Sequence, residues 1–145
     1  MAQTVDEFVA DFQRRLDRLD ADLTKPLEDC AEVILEGVAD NFRRSQTAGG
    51  QAWPPRKDPG PKHPLLILSG DLMTAAMYGN IHRIVGDTLE LGVSHGTIPY
   101  AATHQEGDSS RNIAQREYMA MSDATVDRCC EIVADHMVEQ LTADN

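Results

Sequence analysis

The sequence predicts an α+β fold: long N-terminal helices and a C-terminal helix packed on a small antiparallel sheet, with a long proline-rich loop between them. Three observations carry this. Apolar residues recur in steps of three and four at both ends of the chain, the period of a helix with one covered face. Between residues 80 and 93 the pattern changes to strict alternation about a glycine, the period of a hairpin. No strand–helix–strand unit repeats, so a parallel sheet is not expected.

The elements follow in order. Val5, Phe8, Val9, Phe12, Leu16, Leu19 and Leu23 form one apolar stripe and predict an amphipathic helix over residues 4–23. Thr24-Lys25-Pro26 interrupts it. Proline is awkward inside a helix but suits the first helical turn, so a break at 24–25 and a second helix from about Pro26 to Arg44 are expected. Its stripe is Leu27, Cys30, Ala31, Ile34, Val38 and Phe42, and Arg43 and Arg44 favour its negative C-terminal end.

Residues 46–64 hold five of the seven prolines, within 54–64, and cannot form a regular ladder or helix. They read as an extended surface loop or arm that carries the only tryptophan, Trp53. That indole is either an interface anchor or folded back on its own domain. Leu65 to Leu68 is an apolar run assigned to the core. Ser69 is placed to cap a short helix reaching about Met77, with Asp71 in its first turn. Ile81, Arg83 and Val85, then Gly86-Asp87-Thr88, then Leu89, Leu91 and Val93 predict the hairpin. Tyr100 to Glu106 reads as a helical turn closed by Gly107, and 108–115 as a polar loop. Arg116 to Met119 reads as a short strand or an extended approach. Ser122 then caps a final helix, with Val126, Cys130, Val133, Met137 and Leu141 predicted to face the core.

Length and composition bound the function. A chain of 145 residues fits one domain, 1–145, able to fold without metal or disulfide staples. Aromatics make up only 5%, so the core is expected to rest mainly on Leu, Val, Ile, Met and Ala. The net charge is −11, distributed as −5 over residues 1–45, +2 over 46–68 and −8 over 69–145. Such a chain repels a phosphate backbone, which argues against sequence-specific or wrapping contacts with nucleic acid. Cys30, Cys129 and Cys130 make no disulfide framework and suit reduced thiols; Cys30 and one of the other two are expected as buried small hydrophobes. The acidic N-terminus resembles no signal peptide, and no apolar run approaches membrane-spanning length.

Catalytic patterns are missing from the sequence. It holds no phosphate-binding glycine loop and no GxSxG nucleophile, and no pair among His63, His82, His95, His104 and His136 stands at ligand spacing. The nearest approach to a site is His104-Gln105-Glu106. As a metal or acid–base centre it would need a partner such as His95. The plainer reading is a helix end whose His104 and Gln105 bond nearby backbone, with Tyr100 under the hairpin and a left-handed exit at Gly107. On this reading no catalytic, cofactor or metal residue is expected.

The middle of the chain resembles the phage virion-morphogenesis family, which includes tail-completion proteins of myophages and Mu-like phages. The likeness rests on landmarks in order across residues 38–125: Asn41-Phe42; Gly49-Gly50-Gln51-Ala52-Trp53-Pro54; Leu66-Ile67-Leu68-Ser69-Gly70-Asp71-Leu72; Leu91-Gly92-Val93; Tyr100-Ala101-Ala102-Thr103-His104-Gln105-Glu106-Gly107; and Arg116-Glu117-Tyr118-Met119. The Tyr-Ala-x-x-His-Gln-x-Gly run is the most specific. Where the family usually carries Pro after the Arg, this chain has Glu117. The resemblance implies a structural part of a tailed bacteriophage that completes or terminates the tail at the head–tail (neck) junction. It implies no catalysis and no cofactor. The implied partners are further copies in a closed ring (a hexamer by the family's guidance), tail tube or sheath proteins, and head-completion or connector proteins. DNA would pass through such a ring, whose bore Asp11, Asp22, Glu131 and Asp135 could line. The implied place is the virion, after assembly in the host cytoplasm. Trp53, Pro54, Tyr100, His104, Gln105 and Arg116 are the assembly or interface candidates. The rival readings are a cytoplasmic binding or regulatory module and a small hydrolase or metal enzyme using His104 and Glu106.

Overall fold

The computed structural model describes residues 3–20, 22–58, 60, 64–67, 70–78 and 80–143. The fold is α+β, with five α-helices and one two-stranded antiparallel sheet among the described residues. Helix α1 spans Val5–Asp17 and runs into a 3₁₀ turn at Arg18–Asp20; α2 spans Thr24–Arg44 and α3 Asp71–Met77. Strands β1, Ile81–Val85, and β2, Thr88–Gly92, precede α4, Ala101–Glu106, and α5, Asp123–Thr142. No helix among the described residues is long and apolar enough to cross a membrane.

Local chemistry explains the ends. Thr4 and Glu7 form a reciprocal capping box at the start of α1. The break before α2 falls earlier than the proline suggests. The Asp22 carboxylate accepts from the Thr24 backbone and hydroxyl, which starts α2 at Thr24 and leaves Pro26 in the first turn, where its missing N–H costs nothing. Ser45 ends α2 in the left-handed region, φ 49. Gly70 occupies the cap position of α3 at φ 83; the predicted Ser69 cap and Leu68 lie outside the described residues. The hairpin turns on Gly86, φ 62, in register Val85↔Thr88 to Ile81↔Gly92. Ser122 caps α5 by accepting from the Thr125 N–H.

The core sits beside the hairpin rather than on it. Val38, Phe42, Trp53, Leu72, Ala76, Ile98, Ala101 and Tyr118 form one buried cluster, with Leu65, Leu66 and Ile67 packed against it. Three of those eight are aromatic: Phe42 meets Trp53 edge-on at 5.8 Å and Tyr118 at 5.4 Å. The other five are Val38, Leu72, Ala76, Ile98 and Ala101, so the core is mainly aliphatic as expected, with the few aromatics converging on one point within it. A second contact joins α2 to α5, which run antiparallel: Cys30 packs against Cys129 and Gly37 lies against Thr125. Cys30 is buried, its thiol pushed up to about 11 by desolvation first, Cys129 is half-buried and Cys130 exposed.

Two predicted faces do not reach the core. No residue of α1 or α5 is buried. On α1 the stripe is open: Val5 is 77% exposed, Phe8 57%, Val9 56%, Phe12 44% and Leu16 38%. On α5, Val126, Cys130 and Met137 are exposed, and Val133 and Leu141 half-buried. The α5 register is instead set by Thr125 and Cys129 on the α2 side. Residues 116–119 form no strand among the described residues.

Candidate functional site

The most motif-like stretch, Tyr100 to Gly107, works together with residues 115–119. The segment 116–119 is buried or half-buried, and no strand among the described residues pairs with its backbone. The Gln105 side-chain amide takes that role. Its Oε1 accepts from the Tyr118 and Met119 N–H groups at 3.1 and 2.9 Å, and its Nε2 donates to the Met119 carbonyl at 3.0 Å. A side-chain amide has the donor and acceptor of a peptide unit, so Gln105 replaces a neighbouring strand at this position. The Arg116 N–H donates to the His104 carbonyl at 2.8 Å, and Gln115 Nε2 to the Gln105 carbonyl at 3.1 Å.

Three further groups hold the same segment. Asn41, the one buried polar residue among those described, donates from Nδ2 to the Tyr118 carbonyl at 2.9 Å. Trp53 Nε1 donates to the Glu117 carbonyl at 3.0 Å, and the Tyr118 hydroxyl to the Ala101 carbonyl at 2.9 Å. Burial pushes the Tyr118 phenol up to about 12, which keeps it a donor. Arg116 reaches in the other direction, its Nε and Nη2 donating to the Pro54 and Pro55 carbonyls at 2.9 and 3.0 Å. The proline-rich loop is thus tied to the segment from both Trp53 and Arg116, and Lys57 adds a bond to the Asn112 carbonyl.

The loop after α4 closes on Asp108, whose carboxylate accepts from the Ser110 hydroxyl and from Arg111 and is held down to about 2 by those bonds. Gly107 sits at φ 75, and a Cβ there would meet the Gln115 nitrogen at 2.9 Å. Arg56, Lys57, Arg111 and Arg116 line a cleft of about 410 Å³, a basic spot on an acidic chain.

The predicted candidates divide by placement. Trp53 is 4% exposed and folded back on its own chain; Gln105 and Arg116 are part-buried and spent on backbone. Pro54 is exposed, and Tyr100 is 43% exposed. The expected position of Tyr100 under the hairpin is corrected: its ring meets His104 edge-on at 5.9 Å, in the i,i+4 relation that α4 imposes. His104 is corrected as well. Its backbone makes the bonds, while Nδ1 is buried without a hydrogen-bond partner. Desolvation first, then the charge of Arg116, pulls its pKa below the ordinary 6.5. Among the described residues no group of three or more His, Cys, Asp or Glu could hold a metal ion.

Two features escaped the sequence reading. Asn41 was legible only as a landmark, since a polar residue in an apolar helix stripe does not declare its acceptor 77 positions away. What covers the apolar stripe of α1 is not legible either, because periodicity reports that a face is covered and not by what.

No curated protein and no solved structure is significantly similar to this chain. The family model described as the phage virion morphogenesis family matches residues 4–138. The match takes in the helices on both flanks as well as the motif-bearing middle, and the chain belongs to the phage virion morphogenesis family.

Proposed function

We propose that this chain completes or terminates the tail of a tailed bacteriophage, as a ring-forming subunit of the head–tail junction. Family membership gives the coarse role, a structural part in virion assembly. The observation that carries the finer reading is the pair of uncovered apolar helix faces. Val5, Phe8, Val9 and Phe12 on α1, and Val126, Met137 and Val138 on α5, stand in water in a single chain. Exposed apolar patches of that kind mark protein contacts. The strapped segment 115–119 supplies a rigid scaffold behind Tyr100, Pro54 and the basic cleft, which face outward as further contact candidates.

In this reading the neighbours are other copies, hexameric by the family's guidance, with tail tube or sheath on one side and head-completion or connector proteins on the other. Of the carboxylates suggested for a DNA passage, Asp11 is drawn to Arg15, Asp22 caps α2 and Glu131 pairs with Arg128, so exposed Asp135 on α5 is the better lining. The test is deletion of the gene from its phage, with complementation, and electron microscopy of the lysate. Filled heads with unjoined or irregular tails are expected, and the wild-type gene should restore infectious particles. Normal particles without the protein would overturn the reading in favour of a cytoplasmic binding module.

A further inference from the structure

We propose that α1 is a ridge that seats in a groove of a second copy of this chain, the groove lying between α2, β2 and residues 119–121. This deepens the assembly reading above and rests on it. The first ground is that α1 leans on α5 through Arg15 while its apolar stripe is left without cover. A lone helix of 13 residues is marginal in water, yet α1 is fully capped and exposes its whole apolar stripe. Phe8 and Phe12 stack on each other, ring centroids 6.0 Å apart, and among the described residues they meet no other aromatic.

The second ground is area. At ~150–250 Å² for a fully exposed aromatic, the exposed parts of Phe8 and Phe12 with those of Val5, Val9 and Leu16 come to roughly 500 Å². A standard interface takes ~800 Å² from each partner, a little over half of it apolar. The stripe therefore matches the apolar share that one side of a stable contact requires.

The third ground is a receptor in the same chain. Ile34, Val38, Leu89, Leu91, Met119 and Met121 line a groove of about 220 Å³. Met121 is 42% exposed, and methionine adapts its shape to an incoming side chain. Ridge and groove stand at opposite ends of α5. Arg15 of α1 bonds the Leu141 carbonyl at its C-terminal end, while Met121 directly precedes its N-cap, Ser122. A helix of 20 residues separates them by ~30 Å. In the single chain the ridge does not fill the groove, and head-to-tail pairing of two unlike surfaces propagates and closes into a ring when the rotation allows.

The experiment uses two variants of the full chain, each first shown by circular dichroism to melt as wild type. Phe8→Asp with Phe12→Asp removes the ridge; Met121→Asp removes the groove mouth. Light scattering over a concentration series should show association for wild type and its loss in each variant. An equimolar mixture of the two should form a dimer and no larger species, since only one intact ridge and one intact groove remain. A photo-cross-linking residue in place of Phe8, in otherwise unchanged protein, makes the test independent of whether the groove variant folds. Adducts at 89–91 or 119–121 of another copy support the proposal. Adducts on α1 of another copy or on a different particle protein overturn it, as does a wild type that neither associates nor cross-links. The particle phenotype of the gene deletion is separate, so the docking can fail while the assembly role stands.

Discussion

Gln105 shows how much one side chain can hold. Its three bonds to residues 118 and 119 stand where a strand would. Gln105→Ala should cost roughly 2–4 kcal/mol in a denaturant melt, because part-buried N–H and C=O groups lose their partners. Gly107→Ala should cost at least about 2 kcal/mol, and Gly107→Val more, since the Cβ itself meets the Gln115 nitrogen at 2.9 Å and φ is 75. His104 gives a pH dependence. Its folded pKa lies below 6.5, so the unfolded chain takes up the proton more readily. It imposes no penalty above 6.5, and it destabilises the fold as pH falls from there toward the depressed value. His104→Phe should therefore flatten the loss of melting temperature between about pH 7 and pH 5; an unchanged slope would contradict this. The motif was legible as a structural turn closed by glycine. That its glutamine replaces a strand was not, because the acceptors lie on a segment whose path no local pattern specifies.

At the scale of elements, α2 carries the molecule. It faces the aromatic cluster with Val38 and Phe42 and faces α5 with Cys30 and Gly37. Phe42→Ala should cost about 3–5 kcal/mol, as large aromatic truncations in cores do. Phe8→Asp with Phe12→Asp on α1 should move stability by less than about 1 kcal/mol, because surface changes away from buried partners are small. The same thermal melt compares the two. The order of the helices, the hairpin and the cap at Ser122 could be read from residue spacing, since each depends on near neighbours in the chain. The partners of α1 and α5 could not. An apolar stripe looks the same whether its own core or a neighbour covers it, and for these two helices the single chain leaves the stripe open.

The whole molecule combines a formal charge of −11 with open apolar faces. Like-charged subunits repel at low ionic strength, while burial of apolar surface draws them together. Added salt should therefore strengthen self-association, because screening removes the repulsion and leaves the apolar term. Sedimentation at several salt concentrations checks this. Association that weakens with salt would point instead to an ionic contact at the cleft of Arg56, Lys57, Arg111 and Arg116.

Trp53 also gives the protein a single built-in optical reporter. It is the only tryptophan, it is 4% exposed, and its acceptor on Glu117 lies 64 positions along the chain. Its fluorescence senses the closing of that long loop, a step slower than the local helices because distant residues must first meet. In stopped-flow refolding its emission should lag the far-ultraviolet signal of the helices. Since the indole is already enclosed by its own chain, its emission maximum should stay in place when subunits associate, which lets one cuvette separate folding from assembly.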